Sequence, residues 1–197
     1  LVESAAMAAV DPPNVTYTPH LSEELVKSGA LSDAQLENII YAGQSHEQVL
    51  PDGKRRGYFI GDGTGVGKGR QIAGVIVDNY NQGRKKALWI SGNQNLFPDA
   101  KRDLQDLGFD LKKVKLLNKF KAGATIDMDD GVIFAGYDTV KMDMEKGGRL
   151  KQLTDWLGKD FDGVIVFDEA HNMAKGTAQS GKRGKTKPSA KALAGIR

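Results

Sequence analysis

Tyr58-Phe59-Ile60-Gly61-Asp62-Gly63-Thr64-Gly65-Val66-Gly67-Lys68 constrains this chain more than any other stretch. It reads as a buried strand, a glycine-rich turn and a lysine that opens a helix. Such a turn aims backbone N–H groups at phosphate, and the lysine adds a point charge. Far downstream, Val164-Ile165-Val166-Phe167-Asp168-Glu169-Ala170-His171 reads as a second buried strand ending in two carboxylates. An acidic pair at such a strand end can hold magnesium and orient an attacking water. Together the two segments specify a nucleotide triphosphatase.

The segments between them alternate in type. Asp11 to Pro19 holds three of the six prolines and reads as an extended arm. Ser32 starts a helix carrying Leu36, Ile39 and Ile40, and Ser32-Asp33-Ala34-Gln35 fits a capping box. A helix is expected from Lys68 to Tyr80, burying Ile72, Val75, Ile76 and Tyr80, with Gly83 as its stop. Ala87 to Ile90, Val114 to Leu117 and Val132 to Ala135 read as strands. Asp99 to Leu107 and Leu150 to Leu157 read as helices, the first with Pro98 near its start. Short apolar strands alternating with amphipathic helices give an α/β fold, a parallel sheet covered on both faces. Ala174 to Lys191 differs, with six basic residues and no acid. It reads as a mobile loop, followed from Ser189 by the beginning of a helix.

Composition excludes several classes. With 197 residues the chain has the size of about one domain. It contains no cysteine, so neither a disulfide nor a thiolate metal site is possible. No apolar run reaches membrane-spanning length, so no membrane partner is expected. A net charge of +3 is too small to argue nucleic-acid binding by itself. Leu1 to Val10 lacks the basic start of a signal peptide. A first residue other than methionine suggests an excised piece.

Each motif has a plainer reading beside the functional one. The loop departs from G-x-x-x-x-G-K-[ST]: Asp62 takes the first glycine position, and Gly69 replaces the residue whose hydroxyl binds magnesium. A bare glycine turn is the plain alternative, and the flanking strand, helix and acidic strand argue against it. Adjacent carboxylates repel, so Asp168 and Glu169 call for a cation. Asp168 would hold magnesium through water, and Glu169 would polarise the attacking water. His171 either satisfies a loop carbonyl or couples the nucleotide site to its neighbours. Gln35 is either the capping partner of Ser32 or a reader of the adenine edge. Arg70 either reaches phosphate or faces solvent. Lys101, Arg102, Lys112, Lys113 and Lys115 read as solvated charges.

Gly61-Asp62-Gly63-Thr64-Gly65-Val66-Gly67-Lys68-Gly69-Arg70, followed by Ile72-Ala73-Gly74, resembles the nucleotide loop of the strawberry notch family of superfamily 2 helicase-like ATPases. The resemblance continues through Leu31-Ser32, Gln35-Leu36-Glu37, Arg84-Lys85-Lys86-Ala87-Leu88-Trp89, Arg102-Asp103-Leu104, Leu117-Asn118-Lys119-Phe120-Lys121 and Phe161 to Glu169. It covers most of Leu21 to Met173. Glycine at 69 matches this family, and Asp168-Glu169-Ala170-His171 matches the wider helicase pattern.

The resemblance implies a P-loop NTPase with a RecA-like sheet, incomplete at its C-terminus. Residues 1–30 would be an extension, 31–173 part of the first RecA-like domain, and 174–197 the basic loop and next helix. The strand after the acidic one would lie beyond Arg197, followed by a second RecA-like domain and other domains of a larger chain. ATP and Mg2+ are the implied cofactors. ATP would contact Gln35, Gly63, Thr64, Gly65, Val66, Gly67, Lys68, Gly69 and Arg70, with Gln35 at the adenine. Asp168 would hold the metal, and Glu169 and Lys68 would be catalytic. Ser91 to Leu96 and Phe134 to Val140 would touch the backbone of a nucleic acid, DNA rather than RNA. The implied function is a motor coupling ATP hydrolysis to translocation. The alternative is a nucleotide-dependent interaction module of the transcription co-regulator type. The location would be cytoplasmic, at the nucleoid in bacteria or phage, and nuclear in eukaryotes.

Overall fold

The structure is a computed structural model that describes residues 13–63, 65–141, 148–173, 180–181 and 184–185. It divides into two compact units, Leu1–Gly83 with Asp99–Leu111, and Arg84–Pro98 with Lys112–Arg197.

The first unit is helical. Ser22 caps the short α1 (Glu23–Lys27) by accepting from the Leu25 amide. Helix α2 (Asp33–His46) opens with the expected capping box: Ser32 Oγ accepts from the Gln35 amide, and Gln35 Oε1 accepts from the Ser32 amide. Helix α3 (Lys68–Asn81) follows the glycine loop, and α4 spans Phe97–Asp106. A Cβ built on Gly74 would collide with the Ile39 side chain, so glycine lets α2 and α3 approach closely. Ile39, Ile76 and Leu104 fill the space between these helices, each 1% exposed or less.

The expected apolar face of α3 is too narrow. Every residue from Gln71 to Asn79 is buried, polar ones included, while Tyr80 is half-buried, its ring edge-on to Phe109 at 4.9 Å. The polar members are partnered. Asp78 accepts from Tyr17 Oη (2.7 Å), the His20 amide (2.6 Å) and Gln82 Nε2 (3.0 Å). This carboxylate holds the proline-containing arm from Pro13 to His20 onto α3, as a buried charge requires several donors.

The expected strand from Tyr58 to Gly61 is not formed. Phe59 is 81% exposed. An apolar extended segment becomes a strand only when a neighbour satisfies its N–H and C=O groups. Here side chains fix its position instead. Ser45 Oγ donates to the Gly57 carbonyl, and Tyr58 Oη donates to Asn38 Oδ1, both at 2.9 Å.

The second unit carries the sheet. Strands β1 (Lys86–Ser91), β2 (Val114–Leu116), β3 (Gly131–Gly136) and β4 (Val164–Phe167) are all parallel, in the order β2-β3-β1-β4. All of β3 is buried, and so is β1 beyond Lys86, as continuous apolar runs in parallel strands predict. On one face Leu88, Ile90, Ile133 and Ala135 pack with Leu153 and Trp156 of α6 (Arg149–Leu157) and with Val140 of α5 (Tyr137–Lys141). On the other, Trp89 and Phe97 flank the Phe134 ring at 5.7 and 5.6 Å. This unit is thus an α/β arrangement built on a parallel sheet. Strand β4 lies at the edge of the described sheet, with Ile165 and Phe167 exposed by 41% and 38%. Most of the basic segment from Ala174 lies outside the described residues. Within it, Ser180–Gly181 pairs antiparallel with Gly184–Lys185.

Candidate functional site

The glycine loop is held by side chains of the two helices around it. Gly65 and Gly67 have φ of 86° and 74°, the left-handed region that glycine enters without strain. Gly67 is also the N-cap of α3 and offers no side-chain acceptor. The first amides of an α-helix have no intrahelical acceptor, so this end suits an anion. Lys68 Nζ donates to the carbonyls of Asp62 (3.2 Å) and Gly63 (3.1 Å), which brings the ammonium back over the loop. Gln35 Nε2 donates to the Val66 carbonyl at 3.0 Å. A Cβ at Gly67 would lie 2.5 Å from that same nitrogen, so the contact requires glycine.

Asp62, the residue out of place in the sequence pattern, is the centre of this bracing. Its Oδ2 accepts from Asn38 Nδ2 (2.9 Å) and from Gln71 Nε2 (2.7 Å). Gln71 is fully buried, and its Oε1 has no hydrogen-bond partner among the described residues. A carboxylate at 62 therefore satisfies a buried amide of α3 and an amide of α2 together. Burial pushes the Tyr58 phenol pKa up, and the negative charge of Asp62 adds to the shift. Sequence reasoning recorded Asp62 only as a departure and passed over Asn38 and Gln71. Asn38 lies three residues beyond Gln35 on the same face of α2, and that spacing was the available signal.

Gly69 also has a local cause. A Cβ there would collide with Asp103 Oδ2. Asp103 is not at liberty to move, because it pairs with Arg70 Nε at 3.2 Å while Arg70 Nη2 pairs with Asp106. Arg70 Nη1 donates to the Ala30 carbonyl at 2.9 Å. Of the two readings of Arg70, the solvent-facing one is corrected, its side chain being 19% exposed. Its guanidinium ties α3 to α4 and to the turn before α2. Of the charges expected in solvent, Lys113 pairs with Asp130 at 2.8 Å, while Arg102 stays 60% exposed and pairs with Asp99 at the surface at 2.8 Å. Thr64 lies outside the described residues.

The acidic pair stands at the C-terminal end of β4. The Asp168 amide donates to the Ile90 carbonyl at 2.8 Å, which extends the β1–β4 ladder by one bond. Asp168 Oδ2 accepts from Ser91 Oγ at 2.7 Å, and Ser91 is fully buried. Glu169 has φ of 54°, the one non-glycine residue with positive φ among those described. This left-handed turn ends the strand and sends the second carboxylate a different way from the first. His171 Nδ1 lies 3.2 Å from Glu169 Oε2, and both side chains are largely exposed. Tyr137, just past β3, is buried, its hydroxyl without a hydrogen-bond partner among the described residues. Burial, then the charges of Asp168 and Glu169, push its pKa up to about 12.

The donors suit magnesium. Among the described residues no group of three or more His, Cys, Asp or Glu side chains could hold a metal. Magnesium favours one or two carboxylates with waters and substrate phosphates over an all-protein cage. Asp168 supplies such an oxygen.

A family described as "P-loop containing NTP hydrolase pore-1" matches residues 1–197. Protein strawberry notch homolog 1 of Gallus gallus is 50% identical over 180 residues, covering 87% of this chain and 14% of that protein. Protein FORGETTER 1 of Arabidopsis thaliana is 44% identical over 188 residues, 93% of this chain and 14% of that protein. Protein strawberry notch of Drosophila melanogaster is 49% identical over 181 residues, 87% of this chain and 11% of its own length. The chain therefore spans a small fraction of the length of these relatives. No solved structure matches it. Among the described residues no helix is long and apolar enough to cross a membrane. The glycine loop, the parallel sheet and the family match agree: this chain belongs to the strawberry notch family of P-loop NTP hydrolases.

Proposed function

We propose that this chain is the ATP-hydrolysing domain of a helicase-like motor that couples hydrolysis to movement on nucleic acid, DNA rather than RNA. The observation that carries the reading is the Lys68 ammonium held by the Asp62 and Gly63 carbonyls at an α-helix N-terminus with no side-chain cap. Loop amides and Lys68 bind the phosphates, and electrostatic stabilisation of transferring phosphoryl groups works in this way. Gln35 keeps the loop in place and offers its amide to adenine. Glu169 orients and polarises the attacking water. Asp168 holds magnesium, which when bound supplies positive charge to the phosphate oxygens.

Nucleic acid would be engaged by the exposed positions of the segments from Ser91 to Leu96 and Phe134 to Val140, such as Asn93, Gln94, Asn95 and Asp138, with further domains of the longer protein completing the motor. The protein would act where nucleic acid is, in the nucleus of a eukaryote or at the nucleoid of a bacterium. The test is the ATPase rate of the full-length protein with and without single- and double-stranded DNA and RNA at low salt. The motor reading expects the rate to rise with a polymer and the rise to fade steeply with salt. A rate indifferent to every polymer would instead favour a nucleotide-dependent interaction module.

A further inference from the structure

P-loop enzymes ordinarily place a serine or threonine directly after the loop lysine, where its hydroxyl serves the magnesium site. Here that position is Gly69, and the space a side chain would need is taken by the Asp103 carboxylate paired with Arg70. A side chain at 69 would require the Asp103 carboxylate to shift.

A different hydroxyl meets the metal-binding carboxylate. Ser91 Oγ, at the end of β1, donates to Asp168 Oδ2 at 2.7 Å. Ser91 is fully buried, so it cannot itself exchange this contact for solvent. The Asp168 main chain is fixed to the same strand, its amide on the Ile90 carbonyl. Backbone and side chain of Asp168 are therefore both set by β1. The hydrogen bond on Oδ2 fixes the plane of the carboxylate and leaves its remaining lone pairs, those of Oδ1 among them, in set directions. Hydrogen bonds of this kind to a ligating carboxylate orient it and tune metal affinity.

We propose that Ser91 is a positioning residue for the magnesium carboxylate, orienting Asp168 from β1 through its hydroxyl. The proposal rests on the reading that Asp168 holds the metal. It assigns Ser91 no contact with nucleotide, metal or water.

The test is Mn2+ binding to the full-length protein saturated with ADP, followed by electron paramagnetic resonance. Ser91→Ala should weaken Mn2+ binding by about 10-fold, the lower end of the range for lost outer-shell partners. ADP affinity without metal should be unchanged. Ser91→Thr, which keeps the hydroxyl, should restore Mn2+ affinity. Wild-type Mn2+ affinity in Ser91→Ala overturns the proposal, as does Ser91→Thr failing like alanine with metal-free ADP binding also lost. Asp168→Asn separates the two levels. If it binds Mn2+ normally, the metal reading itself falls; if it loses Mn2+ while Ser91→Ala does not, only the role of Ser91 falls.

Discussion

Lys68 Nζ is anchored by the carbonyl of Asp62, while the carboxylate of the same Asp62 is anchored by Gln71 Nε2, so one residue steadies both the lysine and the helix it opens. The ammonium is poised over the loop by main-chain oxygens. A phosphate with its full charge is a better partner than two carbonyls, so the lysine can exchange them for a nucleotide at little cost.

Lys68→Ala removes that charge and leaves the glycine turn intact. ATP binding should fall by at least 10-fold in a calorimetric titration, about 1.4 kcal/mol by the standard conversion. Unchanged ATP affinity would place the phosphates elsewhere.

Asp62→Ala strands the buried Gln71 amide and removes an acceptor from Asn38. Leaving a buried donor unsatisfied costs about 1–3 kcal/mol. The midpoint of denaturant unfolding should drop accordingly, and KM for ATP should rise more than kcat falls, because the loop is loosened. Asp62→Asn should be milder, since it keeps one oxygen acceptor. An alanine variant with unaltered stability and KM would show the bracing to be dispensable.

Glu169→Gln keeps the shape of the side chain and removes its charge. The full-length variant should bind ATP with near-normal affinity yet hydrolyse it at least 100-fold more slowly, as expected when a general base is lost. Near-normal turnover would rule Glu169 out as the base.

Tyr137 gives a pH prediction. Its pKa is pushed up to about 12, above the ordinary phenol value of 10.0, so the folded state retains the proton over that interval. The associated stability is present below pH 10 and is lost as pH rises through the folded value. Urea unfolding midpoints measured from pH 9 to 12 should decline, and Tyr137→Phe should flatten the decline. Equal slopes for the two proteins would refute this role for the phenol.

Helix α2 with its capping box, the parallel strands and the acidic strand end were legible because each has a local physical signature. Serine three residues before glutamine, continuous apolar runs and a glycine turn before a lysine are read within a few positions of one another. Tyr58 to Gly61 was misread because its apolar run matches a central strand, whereas strand formation depends on a neighbour that composition does not reveal. The burial of Gln71 and Asp78 was invisible for a related reason. A polar residue reads as surface until its partners are known, and those of Asp78 lie 58 and 61 positions earlier, at His20 and Tyr17. The solvent-facing reading of Arg70 failed likewise, its two carboxylates lying 33 and 36 residues away. Ser91 and Asp168, 77 residues apart, meet only because β1 and β4 pair in register.

The grip of Asp78 on Tyr17 and His20 makes helix α3 a rod with a handle at each end. Lys68 and the loop form one handle, and the stretch from Pro13 to His20 forms the other, about 15 Å along the axis at the usual helical rise. A helix is stiff along its axis, so any shift or tilt of the rod on phosphate binding is expected to reach that stretch. Val15, 57% exposed on the second handle, is accordingly a place where a spectroscopic label can report events at the loop without touching it.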